Sequence, residues 1–352
     1  MAGMVEEKRR QLTADLFPEG IPRLWCPPIT QYGAEAKLDH QRTRKHLRFL
    51  CRTIRTFLMF GSTGDGWELT DAEKKEMMLL CAGEAKELGF RMLIGVLEPQ
   101  KGAAVREMEN WVAWMKEKTG KRDAAEAMEQ MHVCGFTVCP PKGADLSQEE
   151  IGQELEGMLR LGYPTVLYQL PQITLNEMEP LTVQRLAQKY PNFYMFKDTS
   201  GRDAVIRSGL AFDGVFFVRG AEGDYEKWSA LSGGCYDGFL LSSANTFGNR
   251  LSATLEALQK GDKEEAAKNS AIVADVIEKV FAAAEGLEGG NVFANANKCI
   301  DHILAYGERW KEHGSPMRHC REYIPEDCLE KTYEVLLEAG EAPKQGYCME
   351  GQ

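Results

Sequence analysis

The sequence predicts an α/β protein of the (β/α)8 class, a TIM-type barrel followed by a C-terminal helical extension. Three observations carry that expectation. Short β-branched or aromatic segments recur eight times and alternate with helical stretches. No G-x-G-x-x-G follows the first of them, as an open dinucleotide-binding sheet would require. A chain of 352 residues accommodates a barrel of about 250 residues with additions at either end.

The expected strands are 23–26, 57–60, 92–97, 135–139, 165–168, 193–196, 214–218 and 238–241. Helical stretches fall between them at 39–53, 71–88, 103–118 with a second piece at 124–131, 148–161, 181–190, 203–210 and 225–231. An eighth begins after Asn245 and runs to about Lys260. Thr70 followed by Glu73 is a capping-box start for the helix at 71. The third unit is irregular, because Lys118-Thr119-Gly120-Lys121-Arg122-Asp123 reads as a surface loop between two helices. In the helix 181–190, Leu181, Leu186 and Ala187 share an apolar side. That helix links the strand ending at Tyr168 to the strand Phe193-Tyr194-Met195-Phe196. Strand, helix and strand over some 30 residues make a βαβ unit, whose right-handed crossover renders the strands parallel. Beyond the barrel, helical patterns continue through 263–285, 291–306 and 325–339. The expected organisation is an N-terminal extension (1–20), a barrel carrying the active site (21–260) and a C-terminal helical region (261–352).

Composition narrows the function. A formal net charge of −11 argues against a nucleic-acid binder and for a small-molecule substrate. The 10 cysteines are scattered, without a C-x-x-C pair, which fits reduced thiols and a cytoplasmic setting. Residues 1–17 are charged and lack the apolar stretch of a signal peptide, and no window reaches about 18 apolar residues, so no membrane partner is expected. The 6 histidines (His40, His46, His132, His302, His313, His319) form no HExxH and no cluster at strand ends, so no metal is expected.

Active sites of such barrels lie at the C-terminal ends of the strands. Lys197 ends the sixth strand and leads into Asp198-Thr199-Ser200-Gly201; Tyr168 ends the fifth, so both project from the same end of the sheet. Taken alone, Lys197 reads first as a strand-end lysine with its ammonium in water, and the other segments are what change that reading. After the second strand, Gly61-Ser62-Thr63-Gly64-Asp65 permits a tight turn that presents N–H groups and two hydroxyls to an anion. Such a turn is also compatible with a purely structural role.

Together these segments resemble the dihydrodipicolinate synthase and N-acetylneuraminate lyase family. The matching motifs are Gly61-Ser62-Thr63-Gly64-Asp65 with Leu69-Thr70-x-x-Glu73, Tyr168-x-x-Pro171, and Phe196-Lys197-Asp198-Thr199-Ser200-Gly201, in the family's order and spacing. Leu24-Trp25-Cys26-Pro27 is similar to its first-strand LxTP, and Gly238 to Asn245 to its eighth-strand segment. The resemblance covers roughly residues 21–307. It implies class I aldolase chemistry, in which Lys197 forms a Schiff base with a 2-keto acid, typically pyruvate. No cofactor is needed beyond that covalent imine. A free lysine is almost wholly protonated at pH 7, so a desolvating barrel mouth would be required to expose the neutral amine. The resemblance makes Tyr168 the proton shuttle and Ser62 and Thr63 the carboxylate-binding pair, and it implies a homo-oligomer, dimer or tetramer.

The chain also departs from the synthase. The fourth-strand loop reads Cys139-Pro140-Pro141-Lys142-Gly143, without the second tyrosine of a PYYN-like loop, so water, Ser62 or Lys142 would have to replace it. Ile173 stands where the synthase has an arginine for its second substrate. The GSTG turn and Thr199 are similar to the neuraminate lyase branch, and the two-proline loop to the sugar-acid dehydratases. Arg219 and Gly220 with Glu222, and Leu240 with Ser242 and Ser243, are the expected specificity groups, suited to a polyhydroxylated acid. The alternative for these polar groups is structural, with Arg219 paired to Glu222 and the serines capping the eighth helix. The expected activity is lyase or aldolase action on a 2-keto-3-deoxy sugar acid or similar hydroxy-ketoacid. A dehydratase, dihydrodipicolinate synthase itself and a non-catalytic ketoacid-binding barrel are the alternatives.

Overall fold

The structure is a computed structural model and describes residues 2–33 and 35–349. Its strands are β1 (Leu24–Trp25), β2 (Thr56–Met59), β3 (Arg91–Val96), β4 (Val133–Val138), β5 (Thr165–Gln169), β6 (Phe193–Asp198), β7 (Phe216–Arg219) and β8 (Gly238–Leu240). The helices through the barrel are α1 (Ala2–Leu16), α2 (His40–Leu50), α3 (Asp71–Leu88), α4 (Ala103–Thr119), α5 (Ala124–Gln130), α6 (Gln148–Leu159), α7 (Pro171–Thr174), α8 (Pro180–Lys189), α9 (Tyr225–Trp228) and α10 (Ala244–Gln259). After them come α11 (Lys263–Ala284), α12 (Val292–Tyr306) and α13 (Glu326–Glu338).

The strands are parallel and ordered β1-β8-β7-β6-β5-β4-β3-β2. Cys26, one residue past β1, bridges Phe57 of β2 in parallel, giving a nearly closed (β/α)8 barrel. This bears out the fold read from the sequence. Strands of such a barrel are covered on both faces, which is why β4, β5 and β6 are buried at every position and are mostly apolar along their length. The Thr70–Glu73 capping box opens α3 as expected, and a second, Ser147 with Glu150, opens α6.

The chain divides into two compact units. The first comprises the residues up to Trp25, Arg91–Ala221 and Trp228–Leu240; the second comprises Cys26–Phe90, Glu222–Lys227 and the residues from Leu241 onward.

In the first unit the N-terminal segment is helical, and a single side chain fastens it. Arg9 is 0 % exposed and donates from Nε to the Phe193 carbonyl at 2.6 Å and from Nη2 to Tyr190 O at 3.0 Å, with further bonds to the carbonyls of Ala187 and Asp213. Burial lowers its guanidinium to about 10, against the raising effect of Asp213 and Glu6. Two expected helices are much reduced. The stretch 203–210 keeps only a 3-10 turn at Ile206–Ser208, because Asp203 adopts φ 55° and Gly209 φ 74°, both outside the right-handed helical region. The stretch 225–231 breaks into α9 and a 3-10 turn at Ala230–Ser232, where Ser229 bridges Tyr236.

In the second unit α10 to α13 pack on one another. A buried network ties α2, α12 and the C-terminal segment together. Arg42 pairs with Asp301, and the Tyr347 hydroxyl donates to Asp301 Oδ1 at 2.6 Å. His46 Nδ1 lies 2.9 Å from the same oxygen. Burial pushes the Asp301 carboxyl upward, but Arg42 and His46 outweigh it and hold it well below the ordinary range. Among the described residues no helix is long and apolar enough to cross a membrane, and no group of three His, Cys, Asp or Glu side chains is placed to hold a metal ion. None of the ten cysteines is in a disulfide.

Candidate active site

In the first unit, Tyr168 and Lys197 are register partners across β5 and β6, and the next strand continues the row with Val218. Residues paired in a parallel sheet point to the same side, so lysine and phenol face one space. Lys197 is 4 % exposed and Tyr168 2 %. The ammonium lies over the phenol ring, 4.1 Å from its centroid, a cation–π contact strengthened by desolvation. Cys139, just past β4, is buried within the field of Lys197: burial pushes its thiol well up, while the Lys197 charge pulls it down.

Backbone geometry makes room for this lysine. At Gly220 an added Cβ would come within 2.9 Å of Lys197 Cε and 2.3 Å of Thr199 Cγ2, so any larger residue would displace both side chains. Gly220 N–H donates to Asp198 O at 2.7 Å, and Thr199 Oγ1 donates to Gln169 O at 2.6 Å. The loops after β5, β6 and β7 are thereby sewn together around Lys197. Lys142 is exposed, its backbone N–H bonded to Pro99 O at 2.9 Å. Asn176 clamps the two-proline loop by donating to Pro141 O and Gly143 O at 2.8 and 3.0 Å.

Arg219 is buried and engaged within its own unit. Its Nε donates to Asp203 Oδ1 at 3.2 Å, Nη1 to Ala221 O at 2.8 Å, and its guanidinium lies 4.4 Å from the Trp228 ring centroid. The Tyr236 hydroxyl donates to the same Asp203 oxygen at 2.7 Å. Leu240 is fully buried in β8, paired with Trp25.

In the second unit, the predicted turn is a 3-10 helix at Ser62–Gly64, closed by Asp65 in the left-handed region at φ 54°. The Trp67 indole N–H donates to Ser62 Oγ at 2.8 Å, which leaves the serine's own O–H to donate elsewhere. Thr30 Oγ1 donates to Gly64 O at 2.8 Å, and Asn291 Nδ2 to Ser62 O at 2.7 Å. Asp65 Oδ2 accepts from the Tyr32 hydroxyl at 3.0 Å and pairs with Lys298 at 2.9 Å.

Glu222 gathers Ser242 and Ser243. It accepts from Ser242 Oγ at 2.7 Å, from Ser243 Oγ and N–H at 2.6 and 3.0 Å, and from the Tyr225 hydroxyl at 2.8 Å. Ser243 occupies the N-cap position of α10 without a side-chain cap bond, because its hydroxyl is spent on Glu222.

Sequence reasoning missed Asp203, Trp228 and Tyr236 around Arg219, and Tyr32, Asn291 and Lys298 around the turn. No local pattern marks them, since each acts on a residue distant in the chain.

Comparison with known proteins agrees with the motifs. Residues 121–288 match the model of the dihydrodipicolinate synthetase family, which bears out the resemblance read from the sequence. A 4-hydroxy-tetrahydrodipicolinate synthase of Wolinella succinogenes is 26 % identical over 142 residues, 40 % of this chain and 42 % of that relative. Among solved structures, YagE of E. coli K12, a prophage protein of the dihydrodipicolinic acid synthase family in complex with pyruvate, superposes with TM-score 0.71 at 18 % identity, over 91 % of this chain and 99 % of that one. KD(P)GA from T. tenax superposes with TM-score 0.69 at 17 % identity, over 91 % and 99 %. At these identities the structural likeness shows the fold.

Proposed function

We propose that this chain is a class I lyase or aldolase in which Lys197 forms a Schiff base with pyruvate or a related 2-keto acid. The observation that carries the reading is the buried Lys197 ammonium over the Tyr168 ring at the C-terminal ends of β5 and β6. The family match and the pyruvate-complexed fold relative support it.

In the proposed reaction the neutral Lys197 amine adds to the C2 carbonyl, the resulting carbinolamine loses water, and the protonated imine withdraws electrons from the adjacent bond. Retro-aldol cleavage then releases an aldehyde and leaves an enamine, which is protonated and hydrolysed to pyruvate and free lysine. Tyr168 relays protons to and from the carbinolamine oxygen and takes the proton of the C4 hydroxyl as the C3–C4 bond breaks, so that a neutral aldehyde leaves. The Ser62–Thr63 turn takes the ketoacid carboxylate, the role the motif match assigns it. The proposed substrate is a 2-keto-3-deoxy sugar acid or similar hydroxy-ketoacid, and the proposed assembly is a homo-oligomer.

A dehydratase using the same imine is the second reading, favoured by the two-proline fourth loop, which lacks the relay tyrosine. Ile173 in α7 speaks against dihydrodipicolinate synthase itself. Incubation with pyruvate and borohydride, read by intact mass and peptide mapping, should label Lys197 in the native protein and leave Lys197→Ala unlabelled. An unlabelled native protein refutes the imine. Labelling without turnover of any acid in a broad panel would instead indicate a ketoacid-binding barrel. With candidate sugar acids, pyruvate release identifies aldol cleavage, and a dehydrated ketoacid without pyruvate identifies elimination.

A further inference from the structure

The turn at Ser62–Gly64 is held from below by the C-terminal extension. Helix α12 sends two groups to it: its N-cap residue Asn291, whose Nδ2 donates to Ser62 O at 2.7 Å, and Lys298, paired with Asp65 at 2.9 Å. The two are seven residues apart, two helical turns, and therefore lie on one face of α12. Lys298 and Asp65 side chains are each 1 % exposed, so neither charge is solvated and each depends on the other. Lys298 also lies 4.7 Å from the centroid of the Tyr32 ring, whose hydroxyl donates to the same Asp65 oxygen. Asp65 is the residue whose left-handed backbone ends the turn, a conformation that a non-glycine residue holds only when its surroundings fix it. Gly64 is pressed against Pro28 O, which an added Cβ would approach to 2.6 Å, so the turn has no slack on that side.

We infer that Asn291 and Lys298 are positioning residues for carboxylate recognition: by fixing Asp65 and the Ser62 carbonyl, α12 sets the turn that binds the carboxylate of the substrate. The inference rests on the proposed role of Ser62 and Thr63, and it gives the C-terminal region a part in substrate affinity.

The test separates carboxylate binding from imine formation. Protein carrying 5-fluorotryptophan is titrated with pyruvate while the resonance of Trp67, assigned with Trp67→Phe, reports on the turn through its bond to Ser62 Oγ. Borohydride trapping at Lys197 is run in parallel with pyruvate and with hydroxyacetone, a ketone without a carboxylate. The double variant Lys298→Met, Asp65→Asn removes both buried charges together. Its half-saturating pyruvate concentration should rise roughly tenfold or more, the scale of a lost charge-assisted hydrogen bond, while trapping of hydroxyacetone is unchanged. Should that variant fail to fold, Asn291→Asp keeps the cap acceptor but loses the donor to Ser62 O, and should shift pyruvate alone in the same direction, by roughly threefold or more. Pyruvate affinity equal to the native protein, equal losses for both ketones, or a Trp67 resonance that ignores pyruvate in the native protein would each overturn the inference. If the native protein traps neither ketone yet Trp67 responds to pyruvate and the variants weaken that response, the lyase reading fails and the positioning role stands.

Discussion

Lys197 and Tyr168 meet because the parallel register of β5 and β6 pairs them directly, bringing the ammonium to 4.1 Å from the phenol ring centroid. Ring and hydroxyl contribute separately. The ring face stabilises the cation, by about 0.5–2 kcal/mol depending on desolvation, and the hydroxyl is the group proposed to move protons. Tyr168→Phe keeps the first and removes the second. Lys197 should still be trapped with pyruvate, while turnover falls roughly 100-fold or more. An unchanged turnover rate would leave the phenol with packing alone.

Gly220→Ala should disable the lysine while leaving Lys197 itself in the sequence. The new methyl would stand 2.9 Å from Lys197 Cε and 2.3 Å from Thr199 Cγ2, so both must move. A cost of about 1–3 kcal/mol in stability is expected from overpacking, with borohydride labelling of Lys197 reduced far more than in Val218→Ala, which removes bulk from the same row. Equal labelling in the two variants would show that the space is not limiting.

Asp203 should matter for stability more than its loop position suggests. It is 1 % exposed and accepts from both Arg219 and Tyr236. Asp203→Asn tolerates the left-handed backbone but removes the charge beside a buried guanidinium. A loss of roughly 2–3 kcal/mol is expected, read as a lower urea midpoint with unchanged slope. A shift under about 0.5 kcal/mol would place the support of Arg219 elsewhere.

Acid should weaken the fold in two separate windows. His302 is buried and bonded to Trp310 O at 3.0 Å, and burial lowers it from 6.5 to about 4. The unfolded chain therefore takes up this proton first, so its contribution is complete above about pH 6.5 and is lost as pH falls from 6.5 toward 4, on the order of 3 kcal/mol in all. Asp301 acts lower: with its carboxyl depressed by Arg42 and His46, its contribution is present above the ordinary aspartate range and is lost as pH falls through the depressed value. His302→Gln should flatten the urea midpoint between pH 6.5 and 4 and leave the steeper acid limb. A native protein equally stable at pH 7 and pH 5 would contradict the first window.

Much of the frame was legible in order of residues. The eight apolar runs become the eight strands because a strand covered on both faces is apolar over most of its length, with polar residues such as Gln169 and Lys197 confined to its ends. Thr70 and Glu73 form their capping box because its partners are three residues apart. The stretch 203–210 departs from the expected helix for the converse reason. Its residues tolerate a helix, but Asp203 is committed to Arg219, 16 positions away, and to Tyr236, 33 positions away, and takes a left-handed backbone that ends any helix there. The N-terminal helix has no local signal because its anchor is a buried arginine that donates to the carbonyls of Phe193, Ala187, Tyr190 and Asp213, an inversion of what a charged extension suggests.

The sequence by itself determined the barrel class, the strand ends that carry Tyr168 and Lys197, and the glycine-bearing turn at Ser62, since periodicity, caps and turns depend on neighbours within a few residues. Only the tertiary structure decided which charges meet. Arg219 lies against Asp203 and Trp228, Glu222 draws in Ser242, Ser243 and Tyr225, and Asp65 is joined to Lys298 across 233 positions of chain. Such partners are selected by desolvation: a buried charge is tolerable only beside its complement, and which complement lies within hydrogen-bonding reach is fixed by packing rather than by anything written near either residue.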